Sequence, residues 1–378
     1  MRLLLMLCVA ALAACSSVKD DVDPPAELVD FEPRLSVEKV WSTSVGADSE
    51  SSVPLQLWVD EHYAYVADYE GVVTALNVAD AKEAWQVETE LALSAGLDGR
   101  GEFLVAGSRY GEIIALERSS GEERWRAAVS SEVITPPYSA ENVTVVRTVD
   151  GRVFGLDARS GLQLWVVEHR VPLLTLRGVS APVFSAGTVF VGFANGKLAA
   201  IALYDGSVAW EVNVASPKGR SELERMVDID ADPVIDGDVI YVAAFQGRVL
   251  AVDKESGRVL WERDISSSTG LAVANGVVYV TDQQGHLWAL EQETGASLWR
   301  QDDLHMRALT APVIQDGYVV VGDFEGYLHW IAADSGEFVA RREIDDEGFS
   351  VPPVVKNGVL YATGKSGTVV ALRLGDKD

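Results

Sequence analysis

Short runs of β-branched and aromatic residues, separated by turn residues, recur along most of this chain. Residues 239–243 and 277–280 are two such runs, and their composition is typical of β-strands. Turn dipeptides stand shortly before both runs, at Asp236-Gly237 and Asn275-Gly276. The apolar residues of these runs do not follow the period of an amphipathic helix. The pattern therefore predicts short strands joined by tight turns.

One pattern of glycine and tryptophan repeats along the chain, at intervals of 38 to 51 residues. In six units a tryptophan lies 14 residues after the first glycine, and in the seventh unit that position is Ala340. A second glycine, ten residues after the first in six units, is typical of a tight hairpin. Units of this length with four short strands indicate the blades of a β-propeller. The units begin at Gly71, Gly111, Gly151, Gly196, Gly247, Gly285, Gly326 and Gly367.

The N-terminal segment supplies the part that the last repeat unit lacks. The last unit stops before its tryptophan position, whereas Trp41 has no unit of its own, and residues 40–45 match the tryptophan strands elsewhere. The predicted fold is all-β: an eight-bladed β-propeller of four-stranded blades in residues 37–378, closed by an N-terminal strand that completes the last blade. We expect the repeat tryptophans to pack between neighbouring blades with each N–H bonded locally. These are Trp41, Trp85, Trp125, Trp165, Trp210, Trp261 and Trp299.

Residues 1–14 predict a secretion signal. A run of 12 apolar residues follows Arg2, which is too short to span a bilayer but suits a signal peptide. Small residues before Cys15 resemble a bacterial lipobox, which implies cleavage there and acylation of Cys15; serine at position 16 implies sorting to the outer membrane. An ordinary signal peptide with an incidental cysteine is the alternative. Residues 15–36, acidic and proline-containing, are predicted to form a flexible, solvated tether.

Composition excludes several classes of function. With 57 acidic against 31 basic residues, the net charge of −26 argues against nucleic-acid binding and against electrostatic attachment to anionic lipid. Cys8 and Cys15 are the only cysteines, so the body has no disulfide and no thiolate site. The five histidines lack the spacing of a zinc site. The acidic run at residues 228–232 begins like a calcium loop but lacks the required glycine and glutamate. We predict no metal, no cofactor and no catalytic residue.

The repeat resembles the blades of quinoprotein alcohol dehydrogenases, which use pyrroloquinoline quinone (PQQ). Those enzymes are similar in blade number, but they are longer and carry an adjacent cysteine pair and calcium-binding acids near the quinone. This chain has no cysteine after Cys15 and no extra length for substrate insertions. A PQQ-dependent dehydrogenase is therefore kept as the alternative function.

The chain more closely resembles the BamB family, propeller lipoproteins of the outer-membrane β-barrel assembly machinery, over essentially its whole length. The most specific stretches are residues 171–182, 222–230 and 321–331. In that family a Leu-x-Leu-Arg loop and an Asp-x-Asp loop contact the periplasmic POTRA domains of BamA. The longest repeat intervals, 45 and 51 residues, place extra residues in these loops, as expected of a binding rim. The matching residues, with the neighbouring arginine, are Leu174, Leu176, Arg177, Arg225, Asp228 and Asp230.

The resemblance implies a non-catalytic scaffold lipoprotein, anchored through Cys15 to the inner leaflet of the outer membrane and facing the periplasm. Its partners would be the POTRA domains of a BamA-type assembly factor and, as a second class, nascent outer-membrane proteins, bound by loops or by strand pairing. For the loop residues, the alternative is that Leu174 and Leu176 pack within their own loop while Arg177 pairs with a neighbouring acid. A ligand-sensing or polysaccharide-binding propeller that faces outward is a third class of function.

Overall fold

A computed structural model describes residues 23–46, 55–172, 174–176 and 180–376. The predictions for the signal peptide, for Cys15 and for Arg177 therefore lie outside the described residues. All regular elements in the described ranges are β-strands. In those same ranges, no helix has the length and apolar character needed to cross a membrane.

The strands form eight antiparallel sheets, which are the blades of a propeller. The chain begins with β1 (Leu35–Ser44). Blades one and two consist of β2 (Trp58–Val59), β3 (Tyr63–Ala67), β4 (Val72–Asn77) and β5 (Glu83–Glu88), then β6 (Leu104–Gly107), β7 (Glu112–Leu116) and β8 (Glu123–Ala128). Blades three and four consist of β9 (Tyr138–Ala140), β10 (Val143–Arg147), β11 (Arg152–Asp157) and β12 (Gln163–Glu168), then β13 (Val183–Ser185), β14 (Thr188–Gly192), β15 (Lys197–Ala202) and β16 (Val208–Asn213).

The second half of the ring follows the same plan. Blades five and six consist of β17 (Val234–Asp236), β18 (Val239–Ala243), β19 (Val249–Asp253) and β20 (Val259–Arg263), then β21 (Leu271–Ala274), β22 (Val277–Thr281), β23 (Leu287–Glu291) and β24 (Ser297–Gln301). Blades seven and eight consist of β25 (Val313–Gln315), β26 (Tyr318–Gly322), β27 (Tyr327–Ala332) and β28 (Phe338–Glu343), then β29 (Val354–Lys356), β30 (Val359–Thr363) and β31 (Thr368–Asp376).

Strand β1 supplies the outer strand of blade eight. It pairs antiparallel with β31 from Leu35 opposite Asp376 to Ser44 opposite Thr368, and Trp41 lies opposite Ala371. The predicted eight-bladed propeller, and its closure by the N-terminal strand, are thus confirmed. Blade two departs slightly from the plan, because isolated bridges at Leu93 and Asp98 take the place of a regular inner strand in the described residues.

Seven tryptophans join each blade to the next around most of the ring. Each indole Nε1–H donates to a backbone carbonyl, 2.8–3.2 Å away, in the turn before the outermost strand of the following blade. The second glycine of the repeat lies in that same turn. At Gly257, for example, φ is +71° and a Cβ atom would lie 2.7 Å from the ring of Trp210. Both the backbone angle and the indole face therefore require glycine there.

The junction between blades seven and eight uses a different device, because Ala340 occupies the tryptophan position. Trp330 is buried and donates from Nε1 to Gln315 Oε1 at 2.8 Å. Gln315 in turn donates from Nε2 to the carbonyls of Gly358 and Leu372, 3.0 and 3.1 Å away in blade eight. One buried amide side chain thus makes the connection that an indole makes elsewhere.

Residues 23–34, which we call the N-terminal strap, lie against blade seven. The sequence predicts them to be a solvated part of the tether, and here the structure differs. Leu28, Val29 and Phe31 pack against the core between blades six and seven. Residues 15–36 as a whole are acidic and contain proline. This average composition does not predict that these three apolar side chains pack on the core.

Candidate functional site

Two long loops on one face of the propeller contain the predicted partner-binding residues. Loop 169–182 joins β12 to β13, and loop 214–233 joins β16 to β17, so each runs from the outer strand of one blade to the inner strand of the next. Because the strands of a blade are antiparallel, all such connections lie on the same face. The loops also contact each other, since the backbone N–H of Ala181 donates to Asp232 Oδ1 at 2.6 Å.

The predicted residues of these loops differ in exposure. Leu174 is 46% exposed, and Arg225 is also exposed. Leu176 is half-buried and lines a cavity of about 170 Å³, together with Arg147 and Phe193. Leu174 and Arg225 are therefore accessible to a partner, while Leu176 is only partly accessible.

The start of loop 169–182 is fixed to blade four. The imidazole of His169 stacks on Phe193 with 3.8 Å between ring centroids. Its Nε2 lies 2.8 Å from Glu211 Oε1, and Glu211 Oε2 accepts a hydrogen bond from Lys197 Nζ at 2.7 Å. These contacts hold the entry to the loop in one position.

Hydrogen bonds and buried side chains within loop 214–233 fix its conformation. The backbone N–H of Ser221 donates to Glu224 Oε2 at 3.2 Å, and the backbone N–H of Glu224 donates to Ser221 Oγ at 3.2 Å. This reciprocal pair is a capping box, which stabilises a single turn. Further along, Val227 and Ile229 are buried in the core between blades four and five. The exposed part of the loop is thus held at both ends.

Asp228 and Asp230 lie beneath the surface beside a buried arginine. Asp228 is 0% exposed, and within the described ranges the oxygens of neither carboxylate have a hydrogen-bond partner. Arg147, at the end of β10, is 3% exposed; its Nη1 donates to the carbonyl and hydroxyl oxygens of Ser180 at 3.1 and 3.3 Å. Arg147 therefore ties blade three to loop 169–182, and Asp228 cannot contact a partner directly.

Burial sets the protonation of this cluster. Burial lowers the pKa of Arg147 to about 10, while the nearby carboxylates of Asp228 and Asp230 oppose that change, so the guanidinium stays charged at neutral pH. Burial, together with the neighbouring Asp230, raises the pKa of Asp228 to about 8. Burial also raises the pKa of Asp230, and Arg147 opposes it. Arg147 thus faces the carboxyl groups of Asp228, Asp230 and Asp232, and burial raises the pKa of each of them.

Arg147 is a residue that the sequence reasoning missed, although the repeat carries a signal for it. It lies four residues before the first glycine of its unit, at a position that holds a small residue in the other seven units. A charged side chain at that position is therefore specific to the third unit. The corresponding residues are Ala67, Gly107, Gly192, Ala243, Thr281, Gly322 and Thr363.

A second missed feature is an apolar outer edge on blade three. Leu162, Leu164 and Val166 are all exposed, and Leu164 and Val166 belong to the outer strand β12. The residue after the tryptophan, Val166 here, is polar or charged in the other units that have this tryptophan: Gln86, Arg126, Glu211, Glu262 and Arg300. Exposed apolar side chains that adjoin one another are typical of an interaction surface. This edge leads directly into loop 169–182.

Comparison with known proteins gives one consistent family. A family model described as outer membrane protein assembly factor BamB matches residues 69–301 and 289–377. The chain is 34% identical over 390 residues to the outer membrane protein assembly factor BamB of Yersinia pestis, and the match covers 97% of each chain. It is also similar to the crystal structure of BamB from Moraxella catarrhalis, with a TM-score of 0.83 and 28% identity, over 89% of this chain and 100% of that chain.

The quinoprotein likeness is one of fold alone. A quinohemoprotein alcohol dehydrogenase from Comamonas testosteroni matches with a TM-score of 0.73 but only 14% identity. The match covers 90% of this chain and 77% of that chain. The similarity does not carry that enzyme's chemistry over to this chain.

Proposed function

We propose that this chain, which belongs to the BamB family of outer membrane protein assembly factors, binds the periplasmic POTRA domains of a BamA-type partner. It is an assembly factor rather than an enzyme, as its relatives are. The binding surface consists of loop 169–182, loop 214–233 and the apolar edge of blade three. The observation that supports this surface best is the exposed Leu174 in loop 169–182, into which the apolar edge leads.

The exposed leucines of this surface supply the affinity. Fully burying one leucine side chain contributes about 1.5–3 kcal/mol, which is the size of a typical interface hot spot. Arg225 lies on the same face and adds a charge that selects an acidic patch on the partner. Nascent outer-membrane proteins are a second class of partner, for which the outer strand β12 offers a free edge.

The two aspartates act from below this surface. Asp228 and Asp230 are near Arg147, which holds Ser180 at the far end of loop 169–182. They therefore set the position of the loop rather than contact the partner. On this proposal, a change at either aspartate affects binding only as far as it alters the shape of the loop.

The proposed location is the outer membrane, with the body in the periplasm. Its support is the lipobox-like sequence that ends at Cys15 and the family's assignment to outer membrane protein assembly. Acylation of Cys15 would supply the anchor, because two or more acyl chains hold a protein stably on a bilayer where one does not.

The test is capture of the BamA-type partner from mild detergent by the purified chain. Replacing both Leu174 and Leu176 by alanine is expected to weaken capture at least tenfold, because each lost leucine contact removes about 1 kcal/mol or more. Leu298→Ala is the matched control, since Leu298 is a leucine on the outer strand of blade six that is at least as exposed as Leu174. If the double variant captures the partner as well as the control does, the loop is not the binding site.

A further inference from the structure

The N-terminal strap is bound to blade seven through its backbone. The N–H of Ala26 donates to the carbonyl of His305 at 2.9 Å, and Arg307 Nη1 donates to the carbonyl of Ala26 at 3.0 Å. Further along, Arg341 Nη1 donates to the carbonyl of Val29 at 2.9 Å, and the N–H of Arg34 donates to the carbonyl of Val339 at 2.8 Å. The strap is therefore held from one face of the blade to the other.

The two arginines that hold the strap belong to one buried network. Arg307 Nε donates to Asp323 Oδ2 at 2.8 Å, and His329 Nε2 lies 2.9 Å from the same oxygen. Arg341 Nε donates to His329 Nδ1 at 3.1 Å, which closes the chain of contacts. Asp323 and His329 are fully buried. Blade seven thus presents two preorganised donors to the strap, at a spacing that fits the carbonyls of Ala26 and Val29.

Apolar packing adds to this binding. Phe31 stacks on Phe338 with 5.4 Å between ring centroids. The guanidinium of Arg341 lies 5.0 Å from the centroid of each of these two rings. Blade seven is also the blade whose tryptophan position is Ala340. The blade that departs from the repeat is therefore the one that the strap covers.

The strap shortens the stretch of sequence between the propeller and Cys15. Asp23 Oδ2 lies 2.7 Å from His305 Nε2, in the connection between blades six and seven. Eight Cα steps separate Cys15 from Asp23, so these residues span at most about 29 Å. Without the docked strap, 20 steps would reach Leu35 and span about 70 Å. A propeller of this size is roughly 50 Å across. Only the docked strap therefore makes the connection shorter than the body.

We propose that the strap orients the propeller on the outer membrane, with the edge at blades six and seven turned toward the bilayer. This proposal rests on the anchor at Cys15 that is part of the proposed function. The connection that holds Asp23 lies on the same face as loop 169–182, but three blades away in a ring of eight. The strap therefore keeps the partner-binding loops away from the lipid surface and accessible to a periplasmic partner.

The test measures the distance of two sites from the membrane. The full lipidated chain is placed in phospholipid vesicles that contain an acceptor dye on the headgroup, after its mass has shown that Cys15 is acylated. A donor dye is attached through Asp303→Cys, beside the strap, or through Tyr110→Cys, an exposed site on the same face of blade two. Energy transfer is expected to be severalfold greater from position 303 than from position 110.

Two variants then change the connection. Val29→Asp with Phe31→Asp removes two of the strap's three apolar contacts without altering blade seven. An insertion of 12 Gly and Ser residues after residue 22 lengthens the connection with the strap still docked. Either change should bring the two transfer values close together. In solution, the first variant should also lose the slow hydrogen exchange of the Ala26 and Arg34 amides. Glu27→Ala is the control, because Glu27 is an exposed strap residue, and it should change nothing.

The outcomes separate this proposal from the proposed function. Equal transfer from positions 303 and 110 in the unaltered chain would overturn the orienting role, as would an unchanged difference after the strap is released. A chain without acyl groups at Cys15 would overturn it as well. Capture of the partner in detergent does not depend on the strap, so it should survive every strap variant and reports on the loops alone.

Discussion

Replacing Asp228 by asparagine tests whether this buried carboxyl group is protonated in the folded protein. The side chain is 0% exposed, without a hydrogen-bond partner in the described ranges, and burial beside Asp230 raises its pKa to about 8. In the unfolded chain the same carboxyl has its ordinary pKa of 3.8. Between these two values the folded protein binds a proton that the unfolded protein has lost. Asparagine has nearly the same shape and needs no proton.

The sign and size of the effect follow from this difference. Because the folded state binds the additional proton, the contribution of Asp228 to the free energy of unfolding falls as the pH rises from about 5 to about 7, by about 1.4 kcal/mol per pH unit. Asp228→Asn should escape this loss and gain about 2.7 kcal/mol on the parent over those two units. With an unfolding entropy of about 2.1 cal/mol/K per residue, that gain corresponds to about 3 °C in Tm for a chain of this length.

Thermal and urea unfolding at pH 5, 6, 7 and 8 give the required comparison. Asp303→Asn is the matched control, because it removes an exposed carboxylate and should not change the pH dependence. A difference between Asp228→Asn and parent that stays constant from pH 5 to pH 7 would refute the reasoning, since it would mean that Asp228 is ionised inside the protein. Capture of the partner should be retained by the variant, because the side chain does not reach the surface.

Three further substitutions probe the cluster and the blade junctions. Arg147→Met should lower the free energy of unfolding by about 1–3 kcal/mol in urea at pH 7, because the buried carbonyl and hydroxyl of Ser180 lose their donor; an unchanged urea midpoint would argue against that role. Gly257→Ala should destabilise by about 1–3 kcal/mol more than Gly237→Ala, since both glycines have positive φ but only at Gly257 would a Cβ meet Trp210; equal losses in Tm would exclude the ring contact. Gln315→Leu should cost about 3 kcal/mol, because two carbonyls and one indole N–H lose their partner; an unchanged urea midpoint would contradict the bridge.

The fold was predictable because its geometry demands specific residues at a fixed spacing. An indole that crosses to the next blade needs a turn without a Cβ atom opposite its ring, so tryptophan and glycine mark each junction, as Trp210 and Gly257 do. The position of Trp41 at the front of the chain likewise required a strand to close the ring. These requirements are local and periodic, and a single sequence therefore shows them.

The strap and the buried cluster were not predictable in this way. The strap is held by Arg307 and Arg341, which lie about 300 residues further along the chain. The composition of residues 23–34 does not indicate contacts with residues so distant in the sequence. The Asp-x-Asp motif similarly does not reveal that Asp228 is buried, because the backbone contact that positions Asp228 comes from a later strand connection, where the N–H of Phe245 donates to the carbonyl of Asp228.

Departures from the repeat mark positions whose residue type is not explained by packing between neighbouring blades. A unit that only had to pack against its neighbours would keep a small residue where Arg147 stands, since the other seven units do so. It would also keep a tryptophan where Ala340 stands and a polar residue where Val166 is exposed. Arg147 and Val166 lie by the proposed partner surface, and Ala340 lies in the blade that the strap covers. Comparing equivalent positions between units therefore locates sites that a search for catalytic motifs would miss. These sites are visible because their residues differ from the type that the packing of the repeat requires.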